Sequence, residues 1–136
     1  MSSFTTQRQF AGRTLAAVAL PVTMLMTLAV LAMDTPAEVI ALNQKIKDDS
    51  VSITYAYLPR NGMLAIFSSD ARGNMGRAPI GRVALLVGDH RNFSVTLNPA
   101  PKSGTQLWAV LEQSSGNTEP FKRFDGRPVE ESFKAL

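Results

Sequence analysis

The apolar positions along this chain follow three successive patterns, which change near residues 34 and 50. The first covers residues 14–33 (TLAAVALPVTMLMTLAVLAM), which carry no charge and are mostly apolar. Twenty helical residues at about 1.5 Å each reach roughly 30 Å, the thickness of the hydrocarbon core of a bilayer. The run therefore predicts a transmembrane helix, in which Pro21, Leu25 and Leu28 are candidate contacts for neighbouring helices.

The same run also has features of a secretory signal peptide. Residues 30–32 (VLA) fit a cleavage site, although the apolar region of a signal peptide is usually about 7–15 residues long. Because this run is longer, we expect a permanent single-pass anchor. Arg8 and Arg13 precede the run and all eleven acidic residues follow it. The positive-inside rule then predicts a cytoplasmic tail at 1–13 and a periplasmic C-terminal part, on the outer side of a bacterial inner membrane.

The second pattern, at residues 34–49, has the period of an amphipathic helix. Residues 35–38 (TPAE) supply an N-cap threonine, a proline at the first helical position and a glutamate three residues after the cap. We expect this juxtamembrane helix to pack on the globular part, dock on a partner or lie on the membrane surface. Its apolar positions recur at i, i+3 and i+7, namely Val39, Leu42 and Ile46.

From residue 50 the apolar period becomes two. Segments rich in β-branched and aromatic residues alternate with turn signals that contain Gly, Pro, Asn or Asp. No helical stretch interrupts them, which predicts a β-sandwich of about six to seven strands over residues 50–136. Trp108 is expected in its core or, alternatively, at an interface. The predicted strands cover 51–57, 63–67, 79–87, 92–97, 106–111, 121–124 and 129–135.

Several of these strands and turns resemble a family of domains of unknown function. The resemblance covers residues 50–136 and implies an extracytoplasmic, Ig-like β-sandwich, as in archaeal and bacterial surface or secreted proteins. It implies no activity. In that family a His and then an Asp commonly follow the Trp-bearing strand, but Glu112 and Ser114 stand here, so no metal site is implied. The matching segments are 58–66 (LPRNGMLAI), 80–81 (IG), 88–90 (GDH), 95–97 (VTL), Gly104, 107–109 (LWA) and 125–129 (DGRPV).

Charge gives no indication of a nucleic-acid partner. The chain has a formal net charge of +3, but beyond residue 33 there are 12 basic residues, 14 minus Arg8 and Arg13, against 11 acidic ones. Four arginines cluster in the middle of the chain. They form either a solvated face or a contact with anionic lipid or an acidic partner. These arginines are Arg72, Arg77, Arg82 and Arg91.

The sequence offers few groups for catalysis or metal binding. His90 is the only histidine and cysteine is absent, which excludes two-histidine and thiolate metal sites. No phosphate-binding loop, nucleophile elbow or dinucleotide motif occurs. Glu130 and Glu131 are adjacent on a predicted strand, so their side chains face opposite ways. We expect no enzymatic activity, no cofactor and no bound metal.

We therefore expect a non-catalytic accessory subunit of a larger membrane-protein complex, in contact with other membrane-protein subunits and the lipid bilayer. Subunits of this build resemble accessory proteins of photosynthetic reaction-centre and antenna complexes or of respiratory complexes. The alternative is a free, membrane-tethered binding module that holds a small ligand, ion or surface polymer through the loop at 72–82. The candidate partner contacts are Pro21, Leu25, Leu28, Val39, Leu42, Ile46, Arg72, Arg77 and Arg82.

Overall fold

A computed structural model describes residues 35–114 and 119–136 of the chain. The predicted tail at 1–13 and the predicted membrane span at 14–33 lie outside the described residues. Within the described ranges, no helix has the length and hydropathy needed to cross a membrane.

The described residues form seven β-strands in two antiparallel sheets. Strands β1, β2 and β5 form a three-stranded sheet in the order β1-β2-β5, and the other four strands form a sheet in the order β4-β3-β6-β7. The predicted all-β sandwich of six or seven strands is thereby confirmed. In chain order the strands are β1 (Glu38–Ile40), β2 (Ser50–Leu58), β3 (Gly62–Ser68), β4 (Gly81–Leu85), β5 (Gly88–Thr96), β6 (Gln106–Gln113) and β7 (Glu130–Lys134).

The main hydrophobic core lies between the two sheets. It forms because alternate residues of each strand point inward, as period-two apolar patterns require. On β2 the alternation shifts by one residue at Thr54, and on the paired strand β5 it shifts at Asn92, which has a positive φ of 49°. Both strands shift together, so their pairing register is kept. The largest buried side chains include Phe133, Ile53, Leu58, Leu64, Ile66, Leu107 and Leu111.

The prediction of an amphipathic helix at 34–49 is wrong. Residues 38–40 form β1, where Val39 pairs with Ala56 of β2 and is buried in the core. The apolar residues of this segment fit a strand as well as a helix. Ala37, Val39 and Ala41 are spaced by two, as in a strand, and all three are buried. Pairing with β2 supplies backbone hydrogen bonds along an edge that would otherwise be open, and this favours the strand.

The rest of that segment is an irregular chain that follows β2. The Gln44 side chain accepts a hydrogen bond from the Ser52 backbone N–H at 2.7 Å and donates one to the Ser52 carbonyl at 2.9 Å, as a neighbouring strand would. Asp48 and Asp49, with φ values of 53° and 56°, then turn the chain into β2.

Two strand boundaries also differ from the prediction. The expected strand at 79–87 ends at Leu85, and Leu86 and Val87 form the turn into β5, which already begins at Gly88. The apolar side chains of this turn made it look like strand, and Gly88 provides the positive φ of 118° that follows it. The expected strand at 121–124 forms only isolated bridges, such as the one between Lys122 and Pro128.

The burial of two phenylalanines gives a matched test of this core. Phe133 is 2% exposed and Phe124 is 80% exposed. We expect Phe133→Ala to lower the free energy of unfolding by about 3–5 kcal/mol, because it removes buried apolar contacts and leaves a cavity. Phe124→Ala should change it by less than about 0.5 kcal/mol. Urea titration of the full chain in mild detergent, followed by Trp108 fluorescence, measures both, and equal losses would contradict the described packing.

Candidate docking face

The outer face of the four-stranded sheet carries a second apolar cluster, separate from the core. Ala65 and Phe67 of β3 and Val110 of β6 are buried there, and Trp108 packs partly buried against them. The register sets Phe67 beside Trp108 and Ala65 beside Val110. The outer face of an antiparallel sheet is commonly solvated and polar, so an apolar outer face indicates something that covers it.

The chain's own loop at 69–80 covers part of this outer face. Met75 of this loop packs on the cluster. Asp70 shapes the loop, because its carboxylate accepts hydrogen bonds from the backbone N–H groups of Arg72, at 2.9 Å, and Asn74, at 3.0 Å. The loop is tied back to β3 by the Gly76 N–H, which donates to the Ser68 carbonyl at 2.8 Å.

An ion pair crosses the same face of the sheet. Arg82 of β4 and Glu112 of β6 lie on either side of β3, and Arg82 Nη2 is 3.2 Å from Glu112 Oε1. The Arg82 side chain is 37% exposed and that of Glu112 only 8%. Glu112 is the buried charged residue of the described part of the chain.

The ion pair leaves Glu112 incompletely satisfied. Its Oε1 atom is close enough to Arg82 for charge attraction, but the contact lacks hydrogen-bond geometry, and no other described group bonds this oxygen. A carboxylate can accept several hydrogen bonds, and burying one without them is unfavourable. Because this Oε1 atom is itself buried, Glu112 depends on Arg82 for compensation of its charge.

We call this surface the docking face. Its edge is basic, because Arg72 and Arg77 are exposed on the covering loop and Arg82 is exposed on β4. Its members are Met63, Ala65, Phe67, Met75, Arg82, Ala84, Trp108, Val110 and Glu112, with Arg72 and Arg77 beside them.

The opposite sheet has a smaller polar cluster on its outer face. The Tyr55 hydroxyl donates to Asp89 Oδ1 at 2.8 Å, and the Arg91 guanidinium lies 5.0 Å from the centre of the Tyr55 ring. The hydrogen bond to Asp89 is the main reason that the pKa of Tyr55 is raised above its ordinary value. These three side chains bond or contact one another. A ligand is therefore less required to satisfy their polar groups than at the docking face.

The structure separates the predicted contact residues. Arg72 and Arg77 lie on the loop that covers the docking face and Arg82 lies on β4 of the same sheet, whereas Arg91, grouped with them in sequence, lies on the other sheet. Val39 is in the core, Ile46 packs partly buried against it, and Leu42 is 59% exposed. Pro21, Leu25 and Leu28 lie outside the described residues.

Two further features bear on chemistry. No group of three or more His, Cys, Asp or Glu side chains within 35–114 and 119–136 could hold a metal ion. The His90 ring has Nε2 2.7 Å from the Leu86 carbonyl oxygen and stands edge-on to Phe93, with 6.1 Å between ring centres. These contacts tie the only histidine to the turn at residues 86–87.

The sequence did not single out Glu112 as a buried group, although one signal was present. Residues 107–111 (LWAVL) are apolar at both alternating sets of positions, which is typical of a strand that is covered on both faces. Glu112 directly continues the outer set, after Trp108 and Val110.

Comparison with known proteins identifies the domain. A family model described as Domain of unknown function (DUF7282) matches residues 37–132. The chain belongs to the DUF7282 family. The match begins at Ala37 and ends at residue 132, so it includes β1 and reaches into β7. No curated protein matches the sequence.

The ion pair of the DUF7282 domain gives a test with an asymmetric outcome. Arg82→Met should lower the free energy of unfolding by about 1–2 kcal/mol, because it leaves the Glu112 charge buried without a partner. Since Arg82 is partly exposed, we expect a smaller loss than for a fully buried ion pair. The double variant Arg82→Met with Glu112→Leu should recover most of this loss. Urea titration measures both, and additive losses would mean that the two side chains are not coupled.

Proposed function

We propose that this protein is a non-catalytic accessory subunit of a larger membrane-protein complex. In this proposal the helix predicted at 14–33 anchors the chain in the bacterial inner membrane, and the DUF7282 domain lies in the periplasm as an Ig-like sandwich. The strand order supports the Ig-like description, because each of the two antiparallel sheets joins strands that are not consecutive in the chain, β2 with β5 and β3 with β6, as Greek-key connections do.

The composition of the docking face is the observation that carries this proposal. Protein interfaces are enriched in aromatic residues, Met and Arg, and their energy concentrates in a few such side chains. Trp108, Met63 and Met75 lie partly buried at this face, and Arg72 and Arg77 lie exposed at its edge. The face thus has an apolar centre and basic residues along the side formed by the covering loop and β4.

The chemistry of the face also describes the partner that fits it. Acidic side chains on the partner would meet Arg72, Arg77 and the exposed part of Arg82. An apolar patch on the partner would meet the partly buried Trp108 and Met75. A protein subunit can supply acidic groups together with such an apolar surface.

The class of complex is proposed from the build of the chain. A single anchor with one small periplasmic domain suits an accessory subunit that inserts beside the helices of a larger core. Photosynthetic reaction-centre and antenna assemblies and respiratory assemblies of the inner membrane have such cores, and they are the complexes in which we propose to look for it.

Mild-detergent extraction of the native membranes, followed by size analysis, tests this function. We expect the protein to migrate with a larger complex, and a pigmented or haem-bearing complex would identify the class of partner. Migration as a single 14.7 kDa chain in its detergent micelle would contradict the subunit proposal and would favour the membrane-tethered binding module.

A charge reversal tests whether the docking face makes the contact. We expect the double variant Arg72→Glu and Arg77→Glu to reduce the amount that co-migrates with the complex by about tenfold or more, because like charges would then face the acidic partner. Lys102→Glu, at an exposed site in the loop between β5 and β6, is the control for the change of charge. Equal effects of both variants would place the contact elsewhere on the domain.

A further inference from the structure

Three segments gather at the end of the sandwich where β1 begins. The register places Gly88 opposite Leu58, and it places Gly62 opposite both Leu85 and Gln113. The turns at 59–61 and 86–87 and the loop at 119–128 therefore lie at the same end as residues 35–37. We call these three segments the proximal loops.

Contacts within the described structure join the proximal loops to one another. The Val87 N–H donates to Asn61 Oδ1 at 2.8 Å, which links the first two turns. The Arg60 guanidinium lies 5.4 Å from the centre of the Phe121 ring, which links the first turn to the long loop. A groove of about 430 Å³ runs between residues 35–38 and 123–125.

The proximal loops expose large apolar side chains. The described residues include five large hydrophobic side chains that are exposed, and three of them are Leu86 at 69%, Val87 at 57% and Phe124 at 80%. The other two, Leu42 and Leu136, lie elsewhere, near Gln44, whose carbonyl accepts from the Leu136 N–H. Turns usually carry polar residues, so an apolar pair at the tip of a two-residue turn points to an apolar contact.

Phe124 is held outward by a well-defined turn. The Arg123 N–H donates to the Arg127 carbonyl at 2.7 Å, and the Gly126 N–H donates to the Arg123 carbonyl at 2.9 Å. Asp125 accepts from the backbone N–H and the Nε of Arg127, both at 3.0 Å. The first of these bonds is the main cause of the lowered pKa of Asp125. The aromatic ring is thus presented by a turn with several hydrogen bonds.

Basic residues outnumber acidic ones in the proximal loops. The proximal loops contain four basic residues, Arg60, Lys122, Arg123 and Arg127, against two acidic ones, Glu119 and Asp125. Basic and apolar side chains together are the composition of surfaces that bind the interface of anionic membranes.

Chain connectivity limits how far this end can lie from the bilayer. Thr35 is two residues beyond the predicted end of the membrane span at residue 33, and two residues extend at most about 7 Å. The headgroup layer on each side of a bilayer is itself roughly 5–8 Å thick. If the predicted span is inserted, connectivity therefore leaves Thr35 within reach of the headgroup layer.

We propose that the proximal loops contact anionic phospholipid headgroups, with Leu86, Val87 and Phe124 inserted among them. This inference rests on the proposed membrane anchor. It adds a second contact of the domain with the membrane, at the end of the sandwich and not on either sheet face.

The absence of cysteine from the chain allows a direct test with single labelled cysteines. The variants Phe124→Cys and Val87→Cys, made in the full chain and labelled with an environment-sensitive fluorophore, are reconstituted into vesicles of phosphatidylglycerol and phosphatidylcholine. Leu42→Cys, on an exposed apolar site away from the proximal loops, is the control. We expect lipids brominated near the headgroup to quench positions 124 and 87 at least about threefold more than position 42.

The charge contribution has its own matched pair of variants. The double variant Lys122→Glu and Arg123→Glu, made in the Phe124→Cys chain, tests the basic residues. We expect it to reduce the quenching of the fluorophore at position 124 about twofold or more in vesicles that contain phosphatidylglycerol. Lys102→Glu should leave it unchanged. Equal effects of the two charge changes would contradict the role assigned to the basic residues.

Vesicle flotation separates failure of this inference from failure of the anchor. If the chain floats with the vesicles but positions 124, 87 and 42 are quenched alike, the anchor stands and the proposed lipid contact is overturned. If position 124 is shielded only in the native complex and never in vesicles, a protein partner covers the proximal loops, which also overturns it. If the chain does not float, the membrane anchor itself fails.

Discussion

Strand β6 is covered on both of its faces, and the rest of the domain is arranged around it. Leu107, Ala109 and Leu111 point into the core between the sheets, whereas Trp108 and Val110 point into the outer cluster. Its backbone pairs with β3 on one side and β7 on the other. A strand in this position transmits any change in outer packing to the core, since the same backbone holds both sets of side chains.

The fold could be predicted from the sequence wherever one period dominated. The segments at 51–57 and 92–97 alternate apolar and polar positions, and those at 63–67 and 106–111 are short apolar runs between turn signals, so these strands were identified. The segment at 34–49 fits both a helical period and a period of two, and pairing with residues 15 to 19 positions further along the chain decides between them. Local pattern alone does not contain that information.

The candidate site depended even more on long-range pairing. Arg82 and Glu112 are 30 residues apart and meet only because β4 and β6 both pair with β3. The three arginines at the docking face were grouped in sequence with Arg91, which the turn at Leu86 and Val87 carries to the other sheet. Because those two turn residues are apolar, the sequence predicted a strand that continues to Val87, two residues beyond its end at Leu85.

The two proposals fit one orientation of the domain. If the proximal loops meet the headgroups, the strands run roughly along the membrane normal, because these loops lie at the ends of the strands. The docking face then stands upright on the membrane and faces sideways, toward a neighbouring subunit. The proposed lipid contact and the docking face lie on different surfaces of the domain, so one does not exclude the other.

Photo-crosslinking in native membranes tests the central claim, that the docking face contacts a protein partner. A benzophenone amino acid placed at position 77 or 84, at the docking face, should crosslink under ultraviolet light to a membrane-protein subunit. The same amino acid at position 94, exposed on the outer face of the other sheet, should give no such product. Crosslinks from position 94 alone, or from none of the three positions, would contradict the account.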